Sequence, residues 1–217
     1  EGSTFEGFPV NITPSRDELQ VIALNTKSGL GDVNGDGCID ILDLIMVVDH
    51  IVGRDSLSAS EFARADIAPW VTGNTLPNPD GFVNVQDLSL IQNIILTGFY
   101  PDGTPVAPCS YAILPKGNGD EDATIDVYIS EEGITVYLDS KIGIRGAQME
   151  FNNVSDDAGN LVINTDLGQG YSLQVGEILR TLMYDRQGVK YIEQGKHFMA
   201  DMPFISTNSE NITLDKL

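Results

Sequence analysis

The stretch Asp32-Val33-Asn34-Gly35-Asp36-Gly37-Cys38-Ile39-Asp40-Ile41-Leu42-Asp43 carries oxygen-bearing side chains at regular intervals. The first, third, fifth and twelfth positions hold a carboxylate or an amide, from Asp32, Asn34, Asp36 and Asp43. A Ca²⁺ ion takes six to eight such oxygens, and a tight loop supplies them from alternate residues. Gly37, at the sixth position, permits the left-handed backbone that brings the later ligands round. The stretch therefore predicts a calcium-binding loop.

Two further groups complete this predicted first metal site. The backbone carbonyl of Cys38 takes the seventh position, and Asp40 takes the ninth, where a ligand often acts through a water. The spacing is that of an EF-hand calcium loop, with Asp43 where Glu is usual. Because unneutralised carboxylates repel one another, we expect the loop to need a cation. A metal-free turn rich in Asp and Gly is the alternative.

The same pattern recurs 44 residues later, which indicates an internal duplication. The matching positions of the second loop are Asn78, Asp80, Gly81, Phe82 with its carbonyl, and Asp87. The first position falls to Asp66, which eleven residues separate from Asn78 where the template has one. We expect the insertion to loop out and Asp66 to reach the ion. A pseudo-loop without metal is the alternative.

Helical signals accompany both loops. Apolar residues recur at helical spacing after the first loop, at Leu44, Val47, Val48 and Ile51, and Gly53 provides a stop. Leu88, Ile91 and Ile95 repeat this pattern after the second loop. Between them, Ser58 and Glu61 form a capping box that predicts a short middle helix ending near Ala65.

The segments GDVNGDGCIDILDL, ADIAPW and NPDGFVNVQDLSLIQNIILTG, which span roughly residues 31–98, resemble a dockerin module. The resemblance implies two Ca²⁺ ions that fold the module, and a cohesin as the docking partner. It also implies that loop positions ten and eleven recognise this partner. These positions are Ile41 and Leu42 in the first loop, and Val85 and Gln86 in the second.

Short alternating runs after residue 122 predict an antiparallel β-sandwich. Ile125, Val127 and Ile129 alternate with polar residues, and Glu132-Gly133 provides the turn to a second alternating run. Further strands are predicted from the apolar runs at 171–175, 177–185, 189–192 and 197–205. GITVYLDSKIGIRGAQMEF, at 133–151, resembles the opening strands of a cohesin jelly roll. Any other secreted sandwich is the alternative.

These elements predict an α+β protein in three parts: an N-terminal strand segment (1–30), a dockerin-like calcium-binding module (31–103) and a cohesin-like β-sandwich (104–217). A cohesin-like sandwich has a further strand after a segment like ENITLDKL, where this sequence stops, so an uncovered edge is expected. The strands at residues 4–24 are predicted to cover it: Phe8, Val10 and Ile12 alternate in the first, and the apolar run 19–24 forms the second. They insert either within the chain or into a neighbouring molecule; truncation of the chain is the alternative.

Composition restricts the partners. The net charge of −20 disfavours nucleic acid and anionic lipid surfaces, and no apolar run is long enough to span a membrane. The sequence starts with Glu1, from which we expect a processed protein, secreted or at the cell surface. Cys38 and Cys109 permit one disulfide in that compartment, with two free thiols as the alternative.

No nucleophile, zinc-protease or phosphate-loop motif occurs, so we expect a protein that is not an enzyme. The sequence favours a calcium-stabilised structural protein that polymerises into an extracellular filament by strand complementation. One alternative is a dockerin that docks onto a separate cohesin. Another is a carbohydrate-binding accessory module in which Trp70 stacks on a sugar.

Overall fold

In a computed structural model of the chain, the described residues are 3–5, 8–10, 29–109, 122–130, 132–152, 154, 161–203 and 213–216. The helices are α1 (Ile41–Ile51), α2 (Ala59–Ala65) and α3 (Val85–Thr97). The strands are β1 (Ser3–Phe5), β2 (Phe8–Val10), β3 (Ala123–Ile129), β4 (Gly133–Ser140), β5 (Gly146–Asn152), β6 (Val162–Ile163), β7 (Gln169–Val175), β8 (Ile178–Tyr184), β9 (Gly195–Pro203) and β10 (Thr213–Lys216).

Each helix begins at a side-chain cap. Asp40, Ser58 and Asn84 occupy the N-cap positions of α1, α2 and α3, and each cap is part of a closed capping box. Such caps satisfy backbone N–H groups that the first turn leaves without partners. Gly98, with φ of 75°, ends α3 in the left-handed region. The three helices predicted from the sequence are therefore confirmed.

Two antiparallel sheets form the second half of the fold. One has the strand order β3-β4-β9-β6, and the other has the order β10-β5-β8-β7. The predicted hairpin is present, with Val127 opposite Val136. The α+β class with a mainly antiparallel sandwich is thus confirmed.

One predicted strand, 189–192, was wrong. Ile192 makes only an isolated bridge with Ile144. The Asp185 carboxylate accepts hydrogen bonds from the backbone N–H groups of Val189 and Lys190, both at 2.8 Å. These bonds occupy the backbone donors of Val189 and Lys190, which are therefore not available to a strand ladder.

The helices pack on the outer face of the β10-β5-β8-β7 sheet, and the other sheet covers its inner face. Alternate β8 residues belong to two different cores: Leu182 and Tyr184 pack with the helices, whereas Leu179 and Met183 pack between the sheets. The molecule therefore has three layers, with β8 buried in the middle one. This arrangement positions the calcium-loop module directly against the sandwich.

The N-terminal strands pair with each other. Phe5 lies opposite Phe8, and Ser3 lies opposite Val10, in an antiparallel β1–β2 hairpin. Ile12 and the run 19–24 lie outside the described residues. At the other terminus, β10 pairs with β5 and supplies one edge of its sheet.

Candidate metal centre

The first loop is curved around two of its carboxylates. Asp32 accepts hydrogen bonds from the backbone N–H groups of Gly35 at 2.8 Å and of Gly37 at 3.1 Å. Asp43 accepts from Asn34 at 3.1 Å and from Asp40 at 2.8 Å. The first and last predicted ligands are therefore both directed toward the interior of the loop by its own backbone.

The electrostatics of this loop favour a cation. Burial raises the pKa of Asp43 to about 7, against an ordinary value of 3.8, and the charges of Asp40 and Asp32 add to the rise. Hydrogen bonds from the backbone of Asp40 and Asn34 oppose it. A divalent ion beside these carboxylates would offset both the desolvation and the mutual repulsion.

The second loop brings Asp66 into place despite the insertion. Asp66 accepts from the Gly81 N–H at 2.9 Å, which is the counterpart of the bond from Gly37 to Asp32. Asp87 accepts from the Asn84 N–H at 2.9 Å, as Asp43 accepts from Asp40. The two loops therefore share these two bonds.

The insertion leaves the loop just after Ala68. Asp87 Oδ1 accepts from the N–H groups of Ile67 at 2.9 Å and Ala68 at 2.7 Å, which fixes the chain next to Asp66. The Asn78 N–H donates to the carbonyl of Pro69 at 2.9 Å and closes the base of the inserted segment. The first and last residues of the inserted segment therefore lie next to each other.

Asp66 supplies a direct indication of a ligand. Its Oδ1 atom is buried and has no hydrogen-bond partner in the described structure. Burial raises the pKa of Asp66, and the charges of Asp87 and Asp80 add to the rise. A buried carboxylate oxygen without a partner is costly unless it binds a cation, so the residues of this loop fit Ca²⁺.

The other predicted ligands differ in how they are held. Asp36 and Asp80 each accept the N–H two residues later, from Cys38 and Phe82 respectively. Asp40 also caps α1 through the Leu42 N–H, a contact that competes with its predicted role at the ninth position. Asn34 donates to Asp36 at 2.8 Å, and Asn78 is exposed.

The carboxylates of each loop are not drawn into a tight cluster. Within the described ranges, no group of three or more His, Cys, Asp or Glu side chains is arranged to hold a metal ion. A calcium loop of this kind also draws on amides, backbone carbonyls and water. The predicted calcium ligands therefore also include Asn34, Asn78 and the backbone carbonyls of Cys38 and Phe82.

The residues implied in partner recognition fall into two groups. Ile41 is half-buried against the sandwich, and its N–H donates to Gln148 Oε1 at 3.1 Å. By contrast, Leu42, Val85 and Gln86 are exposed. The chain's own sheet therefore occupies the surface around Ile41, whereas the second loop presents its pair to solvent.

Sequence reasoning missed the contact between the helices and the sheet. Asp49 on α1 accepts hydrogen bonds from Arg145 and Arg54, both at 2.7 Å. Tyr184 on β8 donates to Gln92 on α3 at 2.6 Å. Near its C-terminal end, β8 has apolar residues on both of its faces. This pattern, which is typical of a strand covered on both sides, could have indicated the contact.

The surroundings of Trp70 and of the two cysteines bear on two further predictions, a sugar-stacking ring and a disulfide. Trp70 is only 8% exposed, and its ring stacks on that of Tyr100 with 5.5 Å between the ring centroids. Its indole N–H donates to the carbonyl of Asn74. The ring is therefore not free to stack on a sugar. Cys38 and Cys109 are free thiols, so the structure has the second of the two predicted arrangements. Burial, followed by the effect of the Cys109 thiol, raises the pKa of Cys38 to about 12.

Paired acidic loops, each leading into a capped helix, define a calcium-loop module, here packed on an antiparallel sandwich. The family model described as Dockerin type I domain matches residues 30–68, which confirms the dockerin resemblance. The matched segment contains the first loop, α1 and α2, and ends at Ala68, where the insertion leaves the loop. Dockerin type I domains bind calcium and dock onto cohesins.

No curated protein and no solved structure matches the chain. Among the described helices, none is both long enough and apolar enough to cross a membrane.

Proposed function

We propose that this chain is a secreted, non-enzymatic assembly protein, stabilised by two Ca²⁺ ions, that polymerises when its sandwich accepts a strand from another copy. The observation that carries the proposal is a row of apolar side chains on β3, namely Ile125, Val127 and Ile129, which we call the open row.

The open row faces the sandwich core but is exposed in the part of the chain that the structure describes. Its residues lie opposite Leu138, Val136 and Ile134 of β4, all of which are buried. Cross-strand partners share one face of a sheet, so both rows face inward. Yet the exposed fractions are 42% for Ile125, 40% for Val127 and 69% for Ile129. Among the described residues, the core is therefore open beside β3.

The backbone next to the open row is also available. β3 is the last strand of its sheet, and β4 is its only strand neighbour in the described part of the chain. An edge strand of this kind presents unpaired N–H and carbonyl groups to another strand. An added strand with alternating apolar side chains would pair with this edge and cover the open row at once.

The N-terminal segment of a second copy is the proposed donor. Phe8, Val10 and Ile12 have the required alternation. Within one molecule, β2 pairs with β1 and not with β3. Donation to the next molecule makes a heterologous contact, which repeats and builds a filament.

The test compares the intact chain with a form lacking residues 1–26, by light scattering and electron microscopy in the presence of calcium. We expect filaments from the intact chain and monomers from the shortened form. Val127→Lys, in the open row, should also give monomers. The matched control is Thr124→Lys, because Thr124 lies on the outer side of β3, opposite Asp139. Monomers from the intact chain would contradict the proposal.

Docking onto a separate cohesin is the second candidate, and the exposure of Leu42, Val85 and Gln86 favours it. Replacing Val85 and Gln86 with lysine should abolish binding to a cohesin panel, measured by calorimetry, and leave the circular dichroism spectrum unchanged. Tight cohesin binding by a chain that stays monomeric would favour this candidate over self-assembly.

A further inference from the structure

An open pocket of about 410 Å³ lies where the end of the first helical segment meets the sandwich. Three stretches distant in sequence line it: Arg54 after α1, Gly143 and Arg145 between β4 and β5, and 188–191 between β8 and β9. We propose that this pocket binds a sugar that carries a single carboxylate group, of the hexuronate class. The site is separate from Trp70, and its binding depends neither on calcium nor on assembly.

Two guanidinium groups are held at the pocket by one carboxylate. Arg145 donates to both oxygens of Asp49, and Arg54 donates to Asp49 Oδ1 at 2.7 Å and also to the Gly188 carbonyl. The Asp49 side chain is only 13% exposed, whereas those of Arg54 and Arg145 are 43% and 36% exposed. Both cations are therefore fixed in place yet open to a ligand, so that binding orders few further side-chain rotamers.

The charge of the pocket is opposite in sign to that of the chain. Arg54, Arg145 and Lys190 line it, and the carboxylates bonded to its lining residues are Asp49 and Asp185. Three positive charges against two negative ones leave a surplus of one, in a chain with a net charge of −20. Lys190 is exposed, and in the part of the chain that the structure describes its ammonium group forms no ion pair. One surplus charge suits one carboxylate, whereas a polyanion would be repelled by the rest of the molecule.

Tyr191 provides a surface for the sugar ring. Its side chain is exposed, and its ring lies beside Gly143, where an added Cβ would be 3.1 Å from Tyr191 Cδ2. The C–H face of a pyranose stacks on such a ring, and the carboxylate then reaches the cations beside it. Val189, at the same pocket, is also exposed, so the sugar hydroxyls stay hydrated. An apolar carboxylate would need a more enclosed site, and this favours a sugar acid.

The test is calorimetric titration of the full chain with methyl glucuronide. We expect a dissociation constant of about 1 mM, which ordinary ligand efficiency gives a molecule of this size. Acetate lacks the ring and methyl glucoside lacks the carboxylate, so each should bind at least about tenfold more weakly. Acetate binding as tightly as methyl glucuronide would overturn recognition of the sugar ring. Equally tight methyl glucoside would overturn recognition of the carboxylate, and no binding of methyl glucuronide would overturn the site.

Variants locate the ligand in this pocket. Lys190→Gln and Tyr191→Leu should each weaken methyl glucuronide binding severalfold and leave the circular dichroism spectrum unchanged. The matched control is Lys196→Gln, which removes the same charge from β9, where Lys196 donates to Asp126 outside the pocket. The control should bind as the parent does. Unchanged affinity in Lys190→Gln, or an equal loss in Lys196→Gln, would overturn the assignment to this pocket.

Discussion

Asp66 combines three properties that rarely occur together in one carboxylate. It is buried, one of its oxygens has no hydrogen-bond partner in the described structure, and its pKa is raised, first by burial. The other oxygen is held by the Gly81 N–H, so the side chain cannot turn away to water without breaking that bond. These features favour a bound cation over a solvated side chain.

Replacing this carboxylate tests the second site. We expect Asp66→Asn to lose one of two Ca²⁺ ions per chain in calorimetric titration, because the amide removes the charge. Without calcium, the variant should be no less stable than the parent. The control is Asp55→Asn, since Asp55 is exposed and lies outside both loops. Two ions bound by Asp66→Asn would contradict the assignment.

Asp43 makes the calcium-free protein sensitive to pH. Burial raises its folded pKa to about 7 from 3.8, so the folded state binds a proton that the unfolded state releases. Stability from this group is therefore lost as pH rises toward 7 and regained as pH falls. Between pH 7 and pH 5, linkage gives a gain of about 2 kcal/mol.

The measurement is urea unfolding of metal-free protein at the two pH values, with Asp43→Asn as reference. The parent should gain stability relative to the variant on acidification. Added calcium at pH 7 should reverse the trend, because the ion favours the ionised form. An equal pH response in the two proteins would show that Asp43 is not the responsible group.

At the level of elements, α1 packs closely against β5. A Cβ added at Gly146 would lie 2.8 Å from Cγ1 of Ile41, at the start of α1. The Gln148 side chain, two residues along β5, accepts from the Ile41 N–H. The first loop therefore ends directly on the sheet.

Overpacking this contact gives the element-level prediction. Gly146→Ala should reduce the free energy of unfolding by about 1–3 kcal/mol, because neither backbone can move far. The same change in an Ile41→Ala background should cost less, because the shorter side chain leaves room. Chemical denaturation of the four proteins measures the coupling. Additive losses would mean that the two residues do not contact each other.

Much of the local structure could be predicted because its cause is local. The capping residues Asp40, Ser58 and Asn84, and the alternation in β3 and β4, depend on neighbours a few residues away. The segment 189–192 could not be predicted, because its apolar pattern resembles a strand while Asp185 binds the backbone N–H groups of Val189 and Lys190. Likewise, nothing local to Ile41 indicates that β5 covers it.

At the scale of the whole molecule, the two cores share one sheet. Leu182 and Tyr184 pack with the helices, while their β8 neighbours pack inside the sandwich. The Arg180 side chain joins the layers further, since it donates to Glu150 at 2.7 Å and to the Thr97 carbonyl at the end of α3 at 3.3 Å. Loss of order in one layer therefore removes contacts from the next.

Chelation tests this coupling. With calcium, we expect a single calorimetric unfolding transition for the helices and sandwich together. EDTA should lower its midpoint by about 10 °C for each tightly bound ion, because the ligand binds only the folded state. Zn²⁺-loaded EDTA, which does not strip calcium as readily, serves as the control. An unchanged midpoint, or two separate transitions, would contradict the prediction.

The burial of β8 on both faces also bears on how this protein can be divided. A fragment cut after residue 109 would leave the helices without Leu182 and Tyr184, and the remaining fragment would present both side chains to water. We therefore expect that neither fragment folds stably on its own. Gene fusion or shuffling that moved the calcium loops alone would deliver an unstable product, so the two halves are expected to be inherited, expressed and engineered as one indivisible unit.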